Sequence, residues 1–151
     1  MQFEGKYEIP ASPDKIWEML NNPEVLKRCI PGCEELTATT PTHYEAVVCL
    51  KVGVVKARFK GQAEMRNQTP PNSCEIVFSG SGGIAGMASG TAGIEISPAT
   101  TGATLEYITD VRIGGKIAQI GSKLLNSTAK RLSNQFFENL ASEISMSSDE
   151  H

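Results

Sequence analysis

The residues best suited to chemistry in this chain are four cysteines and two histidines. Two of the cysteines lie in "CIPGCEEL", Cys29 to Leu36, where they flank Pro31-Gly32. A structural zinc site needs four ligands, usually in close-spaced pairs. Here Cys49 and Cys74 are scattered and the histidines are His43 and the terminal His151, so no metal site is expected. Three residues separate Cys29 from Cys33, not the two of a thioredoxin-type pair. A tight turn with small apolar thiols beside it accounts for the octapeptide, with no required disulfide.

Acid–base candidates are as sparse. Glu106 and Asp110 lie nearest a predicted inner face, but strand alternation sends both outward, opposite Tyr107 and Thr109. A one-residue bulge would reverse that. His43 opens a strand beside Thr42 and reads as a solvated turn residue. No catalytic residue is assigned. The glycine-rich run "GSGGIAGMASG", Gly80 to Gly90, is not a phosphate loop, because it lacks the Lys-Ser/Thr ending and opens no helix. It reads as strand ends with bulges, or as a flap with Ile84 and Met87 as apolar tips.

These residues need elements to position them. Phe3, Gly5, Tyr7 and Ile9 alternate with polar neighbours, giving a half-buried strand that Pro10 stops. Ser12 before Pro13 starts a short helix with Ile16, Trp17 and Leu20 as its core stripe; Asn22-Pro23 starts a second, to about Arg28. Period-two alternation then runs through about six strands; "VKARFKGQAEM" is the clearest. After Gly114-Gly115 the period changes to 3.6, and Ile117, Ile120, Leu124, Leu125, Thr128, Leu132, Phe136, Leu140 and Ile144 mark one helix to about Ser145. Short turns imply antiparallel neighbours, and a one-sided sheet must cover its apolar face. The expected fold is α+β, a helix-grip: a curved antiparallel sheet of about seven strands around a long C-terminal helix, with two short helices after strand 1. Residues 1–146 form the domain and 147–151 a polar disordered tail.

A chain of 151 residues suits one such domain. The net charge of -3 argues against a nucleic-acid partner. No apolar run approaches the ~18 to 20 residues that span a bilayer. The opening "MQFEGKYEIP" has no apolar h-region, so a cytoplasmic protein with reduced thiols is expected.

Gly5, Ala46, Ala57, Gly61, Ala63, Gly80, Gly90 and Ala92 all fall on the predicted inner face, where a filled core favours larger side chains. Small residues there either let the helix pack close or leave space. In the second case Phe3, Tyr7, Phe59, Phe78 and Tyr107 line a pocket, with Tyr7, Tyr44, Tyr107 and Thr109 as its polar handles. Gly61, Ala63, Gly80 and Gly90 would give it room. Ile84 and Met87 would flank its mouth, and Ile117, Ile120 and Leu124 would close it from the helix. It would hold an apolar small molecule rather than run a reaction. A docking module with a filled core and a cyclase- or dehydratase-type enzyme are the rival readings. On the outside, Lys56, Arg58 and Lys60 share a strand face, and Lys116, Lys123 and Lys130 recur every seven residues along the predicted helix. These rows are either solvated faces or a contact for a partner or an anionic membrane.

Several segments resemble the CoxG family of carbon monoxide dehydrogenase accessory proteins, within the Bet v 1/START-like (SRPBCC) superfamily. They are "FEGKYEIPASPDKIWEMLNNPEVL", "IPGCEEL", "KVGVVKARFKG", "GGIAGMASG", "GGKIAQIGSKLL" and "NQFFENLASEI", in the family's order over residues 2 to about 144. The resemblance implies an apolar-ligand cavity, no cofactor of its own, and an accessory role. It makes Cys33 a motif position near the cavity mouth and Cys29 incidental. Members are described as recruiting carbon monoxide dehydrogenase, a molybdenum hydroxylase, to the cytoplasmic membrane and as binding a respiratory quinone. A bound quinone or lipid, an oxidoreductase partner and peripheral contact with the inner membrane face are therefore expected; a homodimer is left open. Many members continue into a Pro/Ala-rich linker and a hydrophobic anchor. This sequence ends at Asp149-Glu150-His151 with neither, so membrane attachment is expected to be weak or supplied by a partner.

Overall fold

The computed structural model describes residues 1–149. Strand β1 (Gln2–Ile9) leads into helices α1 (Pro13–Leu20) and α2 (Pro23–Cys29). Ser12 caps α1, its Oγ accepting from the Lys15 amide at 3.2 Å, and Asn22 caps α2 by accepting from the Glu24 amide at 3.0 Å. Proline follows each cap, where its missing N–H has no partner to lose.

Six strands follow: β2 (Cys33–Thr40), β3 (His43–Val52), β4 (Val55–Thr69), β5 (Ser73–Ser81), β6 (Met87–Ala99) and β7 (Gly102–Gly114). They join β1 in one antiparallel sheet of order β1-β7-β6-β5-β4-β3-β2. The last helix, α3 (Ser122–Asp149), lies across the concave face. This is the helix-grip architecture.

The helix is fastened to the β1–β7 side. Tyr7 Oη donates to Asn134 Oδ1 at 2.6 Å, and Tyr107 Oη donates to Ser133 Oγ at 2.8 Å. The Phe137 ring stacks on Tyr7 with centroids 4.2 Å apart. Gly5 makes this possible: a Cβ there would sit 2.5 Å from Tyr107 Cε1. Further along, Asn139 Nδ2 donates to the Cys29 carbonyl at 3.0 Å, and Glu143 pairs with Arg28 at 2.7 Å. Beneath these bonds Ile9, Ile16, Leu105, Leu140 and Ile144 form the main core.

Two expectations about the helix change. It does not begin near Ile117. Lys116–Ile120 forms a separate 3-10 segment, and Gly121, at φ +101°, turns the chain before α3 starts. The apolar spacing continues across that break, because both pieces pack on one cluster, which includes Val52, Ile117 and Leu125. At the other end α3 runs past Ser145 to Asp149, so the expected tail shares its first residues with the helix; residues 150 and 151, His151 among them, lie outside the described residues.

Candidate functional site

Between β3–β5 and the helices lies a hollow of about 560 Å³. Its floor is the inward face of three strands: Tyr44, Ala46, Val48, Leu50 and Val52 of β3, Phe59, Gly61, Ala63 and Met65 of β4, and Cys74, Ile76, Phe78 and Gly80 of β5. Its roof is Trp17 and Leu20 of α1, Leu26 of α2, and Phe136 and Phe137 of α3. Ala46, Gly61, Gly80 and Ala88 are successive cross-strand partners, so one registered row of minimal side chains crosses four strands. The space exists because that row has nothing with which to fill it. Val48, Leu50, Phe59, Ile76 and Phe78 face inward yet remain only half-buried.

The lining contains no Asp, Glu, His, Lys or Arg among the described residues. Its titratable groups are Tyr44 and Cys74, both pushed up by burial and so neutral near pH 7. Tyr44 is 8% exposed, and its hydroxyl makes no hydrogen bond to the protein among the described residues. Asn21, Gln62 and Ser79 are the other lining residues that offer polar side-chain groups, beside the indole of Trp17. Such a surface can hold an apolar body and meet it with a few hydrogen bonds.

Of the residues expected to line the pocket, Phe59, Gly61, Ala63, Phe78, Gly80 and Ile117 do so. Ten do not. Tyr7 and Tyr107 are consumed by the fastening of α3, and Phe3 lies with them in a separate shallow groove along β1. Thr109 Oγ1 donates to the Thr91 carbonyl at 3.0 Å instead. Gly90 is small for another reason: a Cβ there would lie 2.1 Å from the Asp110 carbonyl oxygen. Cys33 Sγ donates to the Glu35 carbonyl outside the hollow. Ile120 packs against the Val52, Ile117 and Leu125 cluster, outside the lining. Ile84, Met87 and Leu124 project into solvent at 84%, 60% and 41% exposure.

The roof does not show in the sequence. Trp17 reads there as filled core and Leu26 carries no role; the apolar stripe of α1 and α2 is the signal that could reveal both. Tyr44 reads as a polar handle and proves to be lining as well. The row from Ala46 to Ala88 emerges only when strand register is known.

Glu106 and Asp110 do point outward, their side chains 55% and 81% exposed. Cys29 and Cys33 carry free thiols, and burial pushes the Cys29 thiol up to about 11. Lys56, Arg58 and Lys60 share the outer face of β4, but Arg58 is held by Glu34 through bonds of 2.6 and 3.2 Å. The seven-residue row is also broken, since Lys123 and Lys130 lie on α3 and Lys116 on the 3-10 segment. No helix among the described residues is long and apolar enough to cross a membrane.

Among curated proteins none matches the chain. Solved structures do. A conserved protein from Geobacillus kaustophilus superposes with a TM-score of 0.92 at 28% identity, covering 97% of both chains. A protein from Thermus thermophilus gives 0.72 at 16% identity, over 98% of this chain and 99% of that one. One from Chromobacterium violaceum gives 0.71 at 13% identity, over 95% and 96%. The last two establish the fold alone. The family model for CoxG, the G-type component of carbon monoxide dehydrogenase, matches residues 5–145, and the chain belongs to that family.

Proposed function

We propose that the protein is a non-catalytic carrier whose hollow takes an apolar molecule, a quinone or another lipid-like compound. The observation that carries this reading is the lining: about 560 Å³ of apolar surface with no acid or base among the described residues. General acid–base catalysis needs a titratable group within hydrogen-bond reach of the reacting atom, and Tyr44 and Cys74 are both held neutral. The volume falls in the usual range for small-ligand sites, roughly 300 to 1,000 Å³. A ligand with one hydrogen-bond acceptor would meet the free hydroxyl of Tyr44.

Family membership supports an accessory role beside an oxidoreductase, with a molybdenum hydroxylase such as carbon monoxide dehydrogenase as the partner class. That role sets the protein at the inner face of the cytoplasmic membrane, where apolar redox carriers reside. It needs no cofactor of its own.

The test is native mass spectrometry of protein incubated with quinone-loaded vesicles, then organic extraction and identification of what it retains. Retention of one quinone or lipid per chain is expected. A protein that emerges bare from vesicles of every composition is not a carrier.

A further inference from the structure

The charges of this chain are segregated. Stretches 46–63, 76–94 and 111–137 contain no Asp or Glu, yet carry nine of the fourteen Lys and Arg residues. The antiparallel register brings the turns of all three to one end of the sheet: the β3–β4 hairpin, the β5–β6 connection, and the end of β7 with the 3-10 segment beyond it. These tips touch. A Cβ on Gly53 would lie 3.1 Å from Leu124 Cδ2, and one on Gly115 would lie 2.5 Å from Gly86 Cα.

Apolar side chains stand out from the same end. Val54 is 96% exposed at the hairpin tip, Ile84 is 84% exposed, and Met87 and Leu124 follow at 60% and 41%. Lys51 and Lys56, cross-strand partners, flank Val54. Lys116 and Lys123 flank the break at Gly121. All four lysines are exposed, and none has an ion-pair partner among the described residues.

We propose that this end docks on an anionic lipid surface. Scattered exposed apolar side chains are ordinary, whereas a cluster on one acid-free end marks a contact. The apolar groups stand on separate protrusions rather than on a flat face. That shape suits a fluid layer that closes around each tip, with ammonium groups reaching the phosphates over their apolar stems. Directly behind the tips, Val52, Phe59 and Ile117 belong both to a packed cluster and to the lining of the hollow. The docking end and one end of the hollow therefore coincide, and an apolar molecule could pass between bilayer and hollow without crossing open water. The proposal rests on the membrane-facing part of the function proposed above and adds its surface. Ligand retention is read by a different assay, so failed docking would leave carriage standing.

The test is co-sedimentation of the full chain with vesicles of phosphatidylcholine alone or mixed equally with phosphatidylglycerol, at low and high salt. Binding to the anionic vesicles, fading with salt, is expected for the wild type. Val54→Glu with Ile84→Glu should reduce it at least about tenfold, since charge is expelled from the hydrocarbon boundary. Lys51→Glu with Lys56→Glu should weaken it, while Lys6→Glu with Lys15→Glu, an equal charge change elsewhere, should not. All six positions lie on the surface, and circular dichroism melts confirm folding. A wild type that ignores anionic vesicles overturns the proposal in favour of an acidic protein partner. Equal loss in both lysine pairs, or no loss in the Val54/Ile84 variant, overturns the assigned surface.

Discussion

Gly61 and Gly80 are direct cross-strand partners in β4 and β5, and together they form the middle of the hollow's floor. The two are not equivalent. A Cβ on Gly80 would meet only the Lys60 carbonyl oxygen at 3.7 Å and Gly61 Cα at 3.8 Å, which is ordinary contact. One on Gly61 would come within 3.3 Å of the Ser79 carbonyl oxygen, close enough to force a shift. Gly80→Leu is therefore the cleaner way to fill the space. Its Tm should stay within a few degrees of wild type, while retention of a bound quinone or lipid, read by native mass spectrometry, should drop at least about tenfold, roughly 1.4 kcal/mol. Undiminished retention would place the ligand elsewhere.

Tyr44→Phe separates ligand recognition from stability. The hydroxyl has no protein hydrogen bond to lose among the described residues, so the ligand-free melting temperature should hold or rise. Affinity for a ligand with a carbonyl or hydroxyl head should fall by one hydrogen bond, about 0.5 to 1.5 kcal/mol, or roughly two- to tenfold. A purely hydrocarbon ligand should not notice the change. Titration of both ligand types against both proteins checks it.

Cys29 gives a pH signature. Burial raises its thiol to about 11 in the folded chain, from an ordinary value near 9, because the thiolate is poorly solvated there. A raised pKa means that the folded form holds its proton longer than the unfolded one. The stabilisation is thus complete below pH 9 and is lost as pH rises from 9 to 11. Calorimetric Tm should fall more steeply across that window in the wild type than in Cys29→Ala. Parallel slopes would show that the thiol titrates normally.

Gly5 and Tyr107 should couple. The ring occupies the volume that a Gly5 side chain would need. Gly5→Ala should cost about 1 to 3 kcal/mol by overpacking and lower Tm by several degrees. In the double variant with Tyr107→Ala, much of that cost should vanish, giving a combined loss well below the sum of the singles. Simple additivity in urea unfolding would show that the contact carries no strain.

Strand alternation and helix periodicity are legible in the sequence because each follows from one local repeat. Phe3, Gly5, Tyr7 and Ile9 face inward as their spacing requires, and the caps at Ser12 and Asn22 start helices as written. The location of the hollow is not local. Nothing along β1 or β7 announces that Tyr7 and Tyr107 will be taken by Asn134 and Ser133, 127 and 26 residues away respectively. Nor does a small residue declare why it is small. Gly5 admits a ring, Gly90 admits a backbone oxygen, and Gly61 and Gly80 leave space; only register and tertiary contact separate the three causes. The break at Gly121 stays hidden because apolar spacing persists across it, and spacing does not register a change of backbone handedness.

The side-chain hydrogen bonds and ion pairs that tie α3 to the rest of the fold fall, among the described residues, at Ser133, Asn134, Asn139, Glu143 and Ser147. All five belong to the part of the helix nearer its C-terminus. The opening turns lean on grease alone, chiefly Leu125 against Val52 and Ile117. A beam bolted at one end behaves as a lever. Its near end can lift off the hairpin without breaking a polar bond, and the pivot lies where Tyr107 grips Ser133. Amide exchange along this one helix should accordingly form a gradient, fastest beside Gly121 and slowest around Leu140.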